Sequence, residues 1–142
     1  MIRRIFVVDT NVLVAGVITS RPDAPTARLV DAMLEGRIVY LLSPELLREY
    51  EQVLMRPAIA RLHGLSSPDI ETILTEITAN AIWREPLADT KHSAPDAKDS
   101  HIWALLANEA QAILITGDKP LIDNPRPGSS VITPASWVDH FD

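Results

Sequence analysis

Short apolar runs rich in β-branched residues recur along this chain, separated by stretches whose apolar side chains have helical spacing. That alternation leaves few folds open. Residues 5–8, 39–42, 113–115 and 131–132 read as buried strands, with 81–83 a weaker one. Helical patterns cover 26–34, 44–55, 68–80, 100–110 and 134–140. Strands that alternate with helices pair in parallel, because each return crossing is long enough to hold a helix. The expectation is an α/β fold, a three-layer α/β/α sandwich with a mainly parallel central sheet. With 142 residues there is material for one such core, so 1–142 reads as a single domain.

Three helix starts carry the same chemistry. Ser43-Pro44, Ser67-Pro68 and Thr133-Pro134 each put a hydroxyl at the N-cap, where it accepts an orphan backbone N–H. Proline follows at the first helical position, where it has no N–H to leave unpaired. The polar stretch 85–98, with Pro86 and Pro95, reads as a connection, and 123–130 as a surface loop before the last strand. Gly117 reads as a device for a tight turn.

Composition excludes several classes. The chain has no cysteine, so it can build neither a disulfide framework nor a thiolate metal site, which suits a reducing cytoplasm. No apolar stretch approaches the length of about 20 residues that a membrane span needs. A net charge of −6 argues against a protein that holds nucleic acid by bulk electrostatics. It argues less against a nuclease, whose acids can be gathered at a metal site. Arg21, Arg28, Arg48, Arg56, Arg61 and Lys119 remain available to line a groove.

Asp9 ends the first apolar run, and Asp118 follows Ile113-Leu114-Ile115-Thr116-Gly117. In open α/β sheets the groups just past the carboxyl ends of strands line the binding crevice, so two carboxylates placed there can share a site. Each could instead simply cap the helix that follows it. Asp99 falls on the helical wheel near Ile102 and Leu106, which aims it at the protein rather than the solvent. Asp96 sits in the preceding loop. In the helix after Pro44, Glu49 and Glu51 lie on opposite shoulders of the apolar face, and geometry does not choose between them. Mg²⁺ prefers oxygen ligands and needs only one or two carboxylates per ion. A pair of such ions can activate water and stabilise the leaving oxygen in a phosphate displacement.

Other residues carry weaker signals. His63, His92, His101 and His140 form no His-x-x-x-His pair of the kind that binds zinc. His101 adjoins Asp99, but the wheel turns it away. Trp83, Trp103 and Trp137 are too dispersed for a base-stacking platform.

Five segments together resemble PIN-domain nucleases. Val7-Val8-Asp9-Thr10-Asn11-Val12-Leu13-Val14 resembles their opening motif, and Ser43-Pro44-Glu45-Leu46-Leu47-Arg48-Glu49-Tyr50 followed by Val53-Leu54-Met55-Arg56-Pro57 their second acidic region. Asp96-Ala97-Lys98-Asp99-Ser100-His101-Ile102-Trp103-Ala104 resembles the third, and Ile113 to Leu121 the fourth. Ile132-Thr133-Pro134 is similar to the entry of the last helix. The resemblance implies Asp9, Glu49, Asp99 and Asp118 as catalytic, metal-binding residues, with Asn11 and Thr116 in support. It favours Glu49 over Glu51 and Asp99 over Asp96. Pro120 stands where many relatives carry a further acid. The implied activity is Mg²⁺- or Mn²⁺-dependent hydrolysis of RNA, by an endoribonuclease resembling the VapC-like toxin component of type II toxin–antitoxin pairs. A homodimer and a small antitoxin partner are implied with it.

Competing readings differ in single residues. A phosphatase with a nucleophilic aspartate wants a second acid two residues after Asp9, where this chain has Asn11. A phosphoacceptor domain wants paired acids after the first strand. A silent PIN-fold binding module would keep four acids that hinder RNA binding.

Overall fold

The computed structural model describes residues 4–142. The first three residues of the expected 1–142 domain lie outside the described residues. Five strands and eight helices follow one another along the described chain. β1 (Phe6–Val8) leads into α1 (Thr10–Ile18) and α2 (Pro25–Leu34), then β2 (Leu41–Leu42) and α3 (Pro44–Leu54). Next come α4 (Pro57–His63), α5 (Ser67–Asn80) and β3 (Ile82–Trp83). The last third holds α6 (Ser100–Asn108), β4 (Ile113–Ile115), α7 (Lys119–Asp123), β5 (Ser130–Ile132) and α8 (Pro134–Phe141).

All pairings are parallel. β4 lies between β1 and β5, while β2 pairs with β3. A bridge from Phe6 to Tyr40 joins the two ladders, with the Phe6 N–H donating to the Val39 carbonyl at 3.0 Å. The order across the sheet is therefore β3-β2-β1-β4-β5, the parallel α/β sandwich expected. The chain runs outwards one way from β1 to β3, then returns to place β4 on the other side of β1. That reversal puts the topological switch point between β1 and β4, where such sheets open a crevice. The register sets Val8 opposite Ile115, so Asp9 and Thr116 leave the sheet side by side. β1 and β4 are buried along their whole length, and edge strands β3 and β5 are partly exposed.

Local chemistry explains most boundaries. Ser43 Oγ accepts the Leu46 N–H at 3.2 Å, and Thr133 Oγ1 accepts the Ser136 N–H at 3.1 Å, as expected of N-caps. At α5 the expectation is off by one. The cap is Ser66, whose hydroxyl accepts the Asp69 N–H while the Asp69 carboxylate accepts the Ser66 N–H, both at 3.2 Å. This reciprocal capping box satisfies two orphan donors where Ser67 could satisfy one. Pro68 then falls at the second helical position.

Helices α1, α4 and α7 were not expected. α1 is apolar almost all round and carries three valines, so it shows no amphipathic stripe; it packs against α2, α3 and α4. Gly16 lets α2 approach it: a β-carbon there would lie 2.4 Å from Val30 Cγ2 and 2.5 Å from the Thr26 carbonyl oxygen. α4 and α7 are too short to show a period. At Gly117 the Asp118 N–H turns back to the Thr116 hydroxyl, but φ is not positive and no atom would crowd a β-carbon, so the turn does not require glycine. The loop after α7 is not wholly superficial either. Its Arg126 is buried and pairs with Asp89 in the 85–98 connection, Nε to Oδ2 at 2.7 Å. Among the described residues no helix is long and apolar enough to cross a membrane.

Candidate active site

The crevice at the switch point is a cleft of about 560 Å³, and Asp9, Glu49, Asp99 and Asp118 all line it. They arrive on four separate pieces of chain. Asp9 is the residue after β1 and the N-cap of α1. Its Oδ1 accepts the Thr10 N–H at 2.9 Å, and its Oδ2 accepts the Thr116 hydroxyl at 2.7 Å. Thr116 is itself fully buried and accepts the Asp118 N–H at 3.0 Å. One threonine after β4 therefore fixes both the acid of β1 and the backbone of the acid that follows β4.

Glu49 reaches the cleft from the middle of α3. The Thr10 hydroxyl donates to its Oε1, and His101 Nε2 lies 3.2 Å from its Oε2. The next residue, Tyr50, is buried and donates its hydroxyl to the Val8 carbonyl at 2.5 Å, which ties α3 to the end of β1. Asp99 closes a single 3₁₀ turn (Ala97–Asp99) just before α6. Asp118 stands before α7, and its side chain caps no helix N–H.

Electrostatics mark this as an unbalanced place. Burial pushes the Asp9 carboxyl above its usual range; its bonds from Thr116 and Thr10 oppose that, and the nearby Glu49 and Asp118 charges add to it. Asp99 is pushed up to about 6, first by desolvation, then by Asp9, Asp96, Asp118 and Glu49. Asp9 and Asp99 are thus raised both by burial and by the acids around them.

The alternatives that the sequence left open stand in different places. Glu49 lies in the cleft, whereas Glu51 lies on the far shoulder of α3 beside Thr75 and Thr78. Asp99 and Asp96 both line the cleft, but Asp96 is exposed and its Oδ1 accepts the Lys98 N–H at 3.0 Å. Asn11 is exposed at the cleft wall. Of the six basic residues considered, Arg56 lines the cleft, and Lys98 joins it there.

His101 corrects the sequence reading. The wheel assumed that the α-helix includes Asp99, but Asp99 has φ −92° and ψ 3°, and the helix begins only at Ser100. The resulting change of phase turns His101 towards Glu49. Thr10 was missed as well. It stood in the quoted motif, but a hydroxyl bonding an acid 39 positions away leaves no trace in local spacing.

The donor set fits a hard divalent cation. It offers carboxylate oxygens, and among the described residues no lysine or arginine is ion-paired to any of the four acids. The fit is one of donor chemistry: among the described residues no group of three acids or histidines stands ready to hold an ion.

A parallel α/β sandwich with carboxylates gathered in a cleft at its switch point is an arrangement suited to hydrolysis assisted by a metal ion. The chain belongs to the PIN-domain family, whose model matches residues 5–120, a stretch that includes all four acids. It is also 30% identical over 116 residues to an uncharacterized protein of Methanocaldococcus jannaschii, covering 82% of this chain and 72% of that protein. PIN domains are generally nucleases that use divalent metals, and membership brings a nuclease-type, hydrolytic function.

Proposed function

We propose that this single domain is a metal-dependent endoribonuclease, with Asp9, Glu49, Asp99 and Asp118 holding Mg²⁺ or Mn²⁺. The observation that carries the reading is the meeting of four carboxylates from four segments in one cleft, with Arg56 and Lys98 on its walls. When bound, the metal supplies an activated water and offsets charge on the departing oxygen. The chain's own residues prepare that chemistry. Thr116 and the Thr10 N–H each engage one oxygen of Asp9, leaving the remaining lone pairs free. Thr10 and His101 orient Glu49 in the same way from opposite sides. Arg56 and Lys98 supply the cations that an RNA phosphate needs on approach to an acidic protein.

The motif set also supports a finer role, the toxin of a type II toxin–antitoxin pair, acting as a homodimer in the cytoplasm and silenced by a small antitoxin. The decisive experiment is incubation of purified protein with a mixed-sequence RNA in Mn²⁺, Mg²⁺ or EDTA. Internal cleavage with either metal and none with EDTA is expected. Cleavage that persists in EDTA, or intact RNA under every condition, would falsify the reading. A growth arrest on expression, relieved by a small protein encoded beside it, tests the toxin role separately.

A further inference from the structure

A second cavity, of about 330 Å³, lies on the other side of His101 from the acidic cleft. Its apolar walls are Pro44, Pro86, Ala88 and Ala104, its acids are Glu45 and Glu85, and Ser43, Ser100 and His101 complete the lining. Among the described residues no lysine or arginine lines it, and neither glutamate has an ion-pair partner. Its volume is at the lower end of pockets that enclose a small molecule (roughly 300–1,000 Å³), enough for one flat ring system and its substituents.

The cavity and the cleft share a frame. Glu45 and Glu49 are four residues apart on α3, so they stand on the same face, one turn from each other. His101 belongs to the cavity wall while its Nε2 bonds Glu49 in the cleft. A group held in the cavity therefore sits beside the place where a phosphate would be cut.

The chemistry of the walls selects the guest. Two carboxylates accept hydrogen bonds and cannot donate them, and they repel a phosphate. Apolar walls favour a stacked ring over a hydrated ion. Unstacked RNA bases are recognised in this manner, by their faces and by their Watson–Crick edges. Guanine offers two adjacent donors on that edge, its ring N–H and its amino group. Adenine and cytosine offer the amino group alone, and uracil sets its one N–H between two carbonyls that a carboxylate repels. We propose that this cavity is a base-binding subsite that takes a guanine next to the scissile phosphate, with Glu45 or Glu85 accepting from its Watson–Crick edge. This inference rests on the ribonuclease reading for its purpose, but its binding step can be measured without any cleavage.

The test is an NMR titration of metal-free ¹⁵N-labelled protein with guanosine, with uridine and with inorganic phosphate. Guanosine should shift the amides of Ser100, His101 and Ala104 at concentrations about tenfold below those that uridine needs, and phosphate should leave them still. Glu85→Gln and Glu45→Gln, both at exposed positions, should erode that preference, and Ala88→Trp should block the response by filling the cavity. Equal responses to the two nucleosides, no response, or a response to an arginine-containing peptide alone would overturn the subsite. In Mn²⁺ the cleavage products should end beside guanosine. Base-blind cleavage without guanosine binding defeats the subsite and spares the nuclease, whereas guanosine binding without any cleavage does the reverse.

Discussion

Asp9 and Asp89 are both nearly sealed from solvent, at 6% residue and 4% side-chain exposure, yet their surroundings push them in opposite directions. Asp89 faces Arg126 and accepts the N–H groups of Lys91 and His92, and the guanidinium holds its carboxyl well below the usual range. Among the described residues no cation pairs with Asp9; burial and two neighbouring acids raise it. A buried acid with a partner is a fastener, here joining the 85–98 connection to the loop after α7. Buried and crowded acids without one cost stability, and they are retained where a cation from solution can complete them.

The largest effect should come from the uncompensated side. Asp9→Asn or Asp118→Asn keeps shape but removes a metal-binding charge, and cleavage in Mn²⁺ should fall roughly 10³-fold or more, with the circular dichroism spectrum unchanged. Activity within a few-fold of wild type would remove these acids from the reaction. Next is Thr116→Val, which preserves packing but frees Asp9 Oδ2 and the Asp118 N–H. Metal affinity measured by calorimetry should drop about 10–100-fold. An unchanged affinity would make Thr116 a packing residue only.

The compensated side should answer in stability. Arg126→Met strands the Asp89 carboxylate and should lower Tm by roughly 5 °C or more, while Asp89→Asn added to it should restore much of the loss. If the double variant is no better than the single one, the fastener is not a pair.

The smallest effect, in pH, sets the two sides against each other. Asp99 in the folded chain titrates near 6 against an ordinary 3.8, so the folded state holds more protons between those values. Its contribution favours folding fully below about pH 4 and is lost as pH rises through 6. Metal-free protein should thus gain about 1 kcal/mol between pH 7 and pH 5, after allowance for screening at a half-open site. Asp89 acts with the opposite sign: its stabilisation is present above its ordinary range and is lost only in stronger acid. Saturating Mn²⁺ should flatten the gain between pH 7 and pH 5. A metal-free Tm that falls steadily over that interval would contradict the acidic-cleft half of the comparison.

The sequence carried the strands of the sheet, the caps Ser43 and Thr133, and the helix that brings Glu49, because each has a local period or a local bond behind it. It did not carry α1, whose burial erases the stripe that reveals a helix. The four acids were readable as strand ends and as a resemblance, but their common cleft needed the β1–β4 register. His101 was aimed wrongly because one 3₁₀ turn changes the phase of everything after it. Thr10 and Arg126 act through partners 39 and 37 positions away, distances that no local pattern encodes.

Gly16 makes no hydrogen bond to the acids, yet they inherit its geometry. It sits about 10 Å along the axis of α1 from Asp9, at the point where α1 and α2 touch. Any side chain there must lever the two helices apart, and the short arm of that lever carries Asp9 and Thr10. A substitution at a position with no chemistry of its own would thereby disturb the acids' setting, and its effect would be mistaken for damage to the active site.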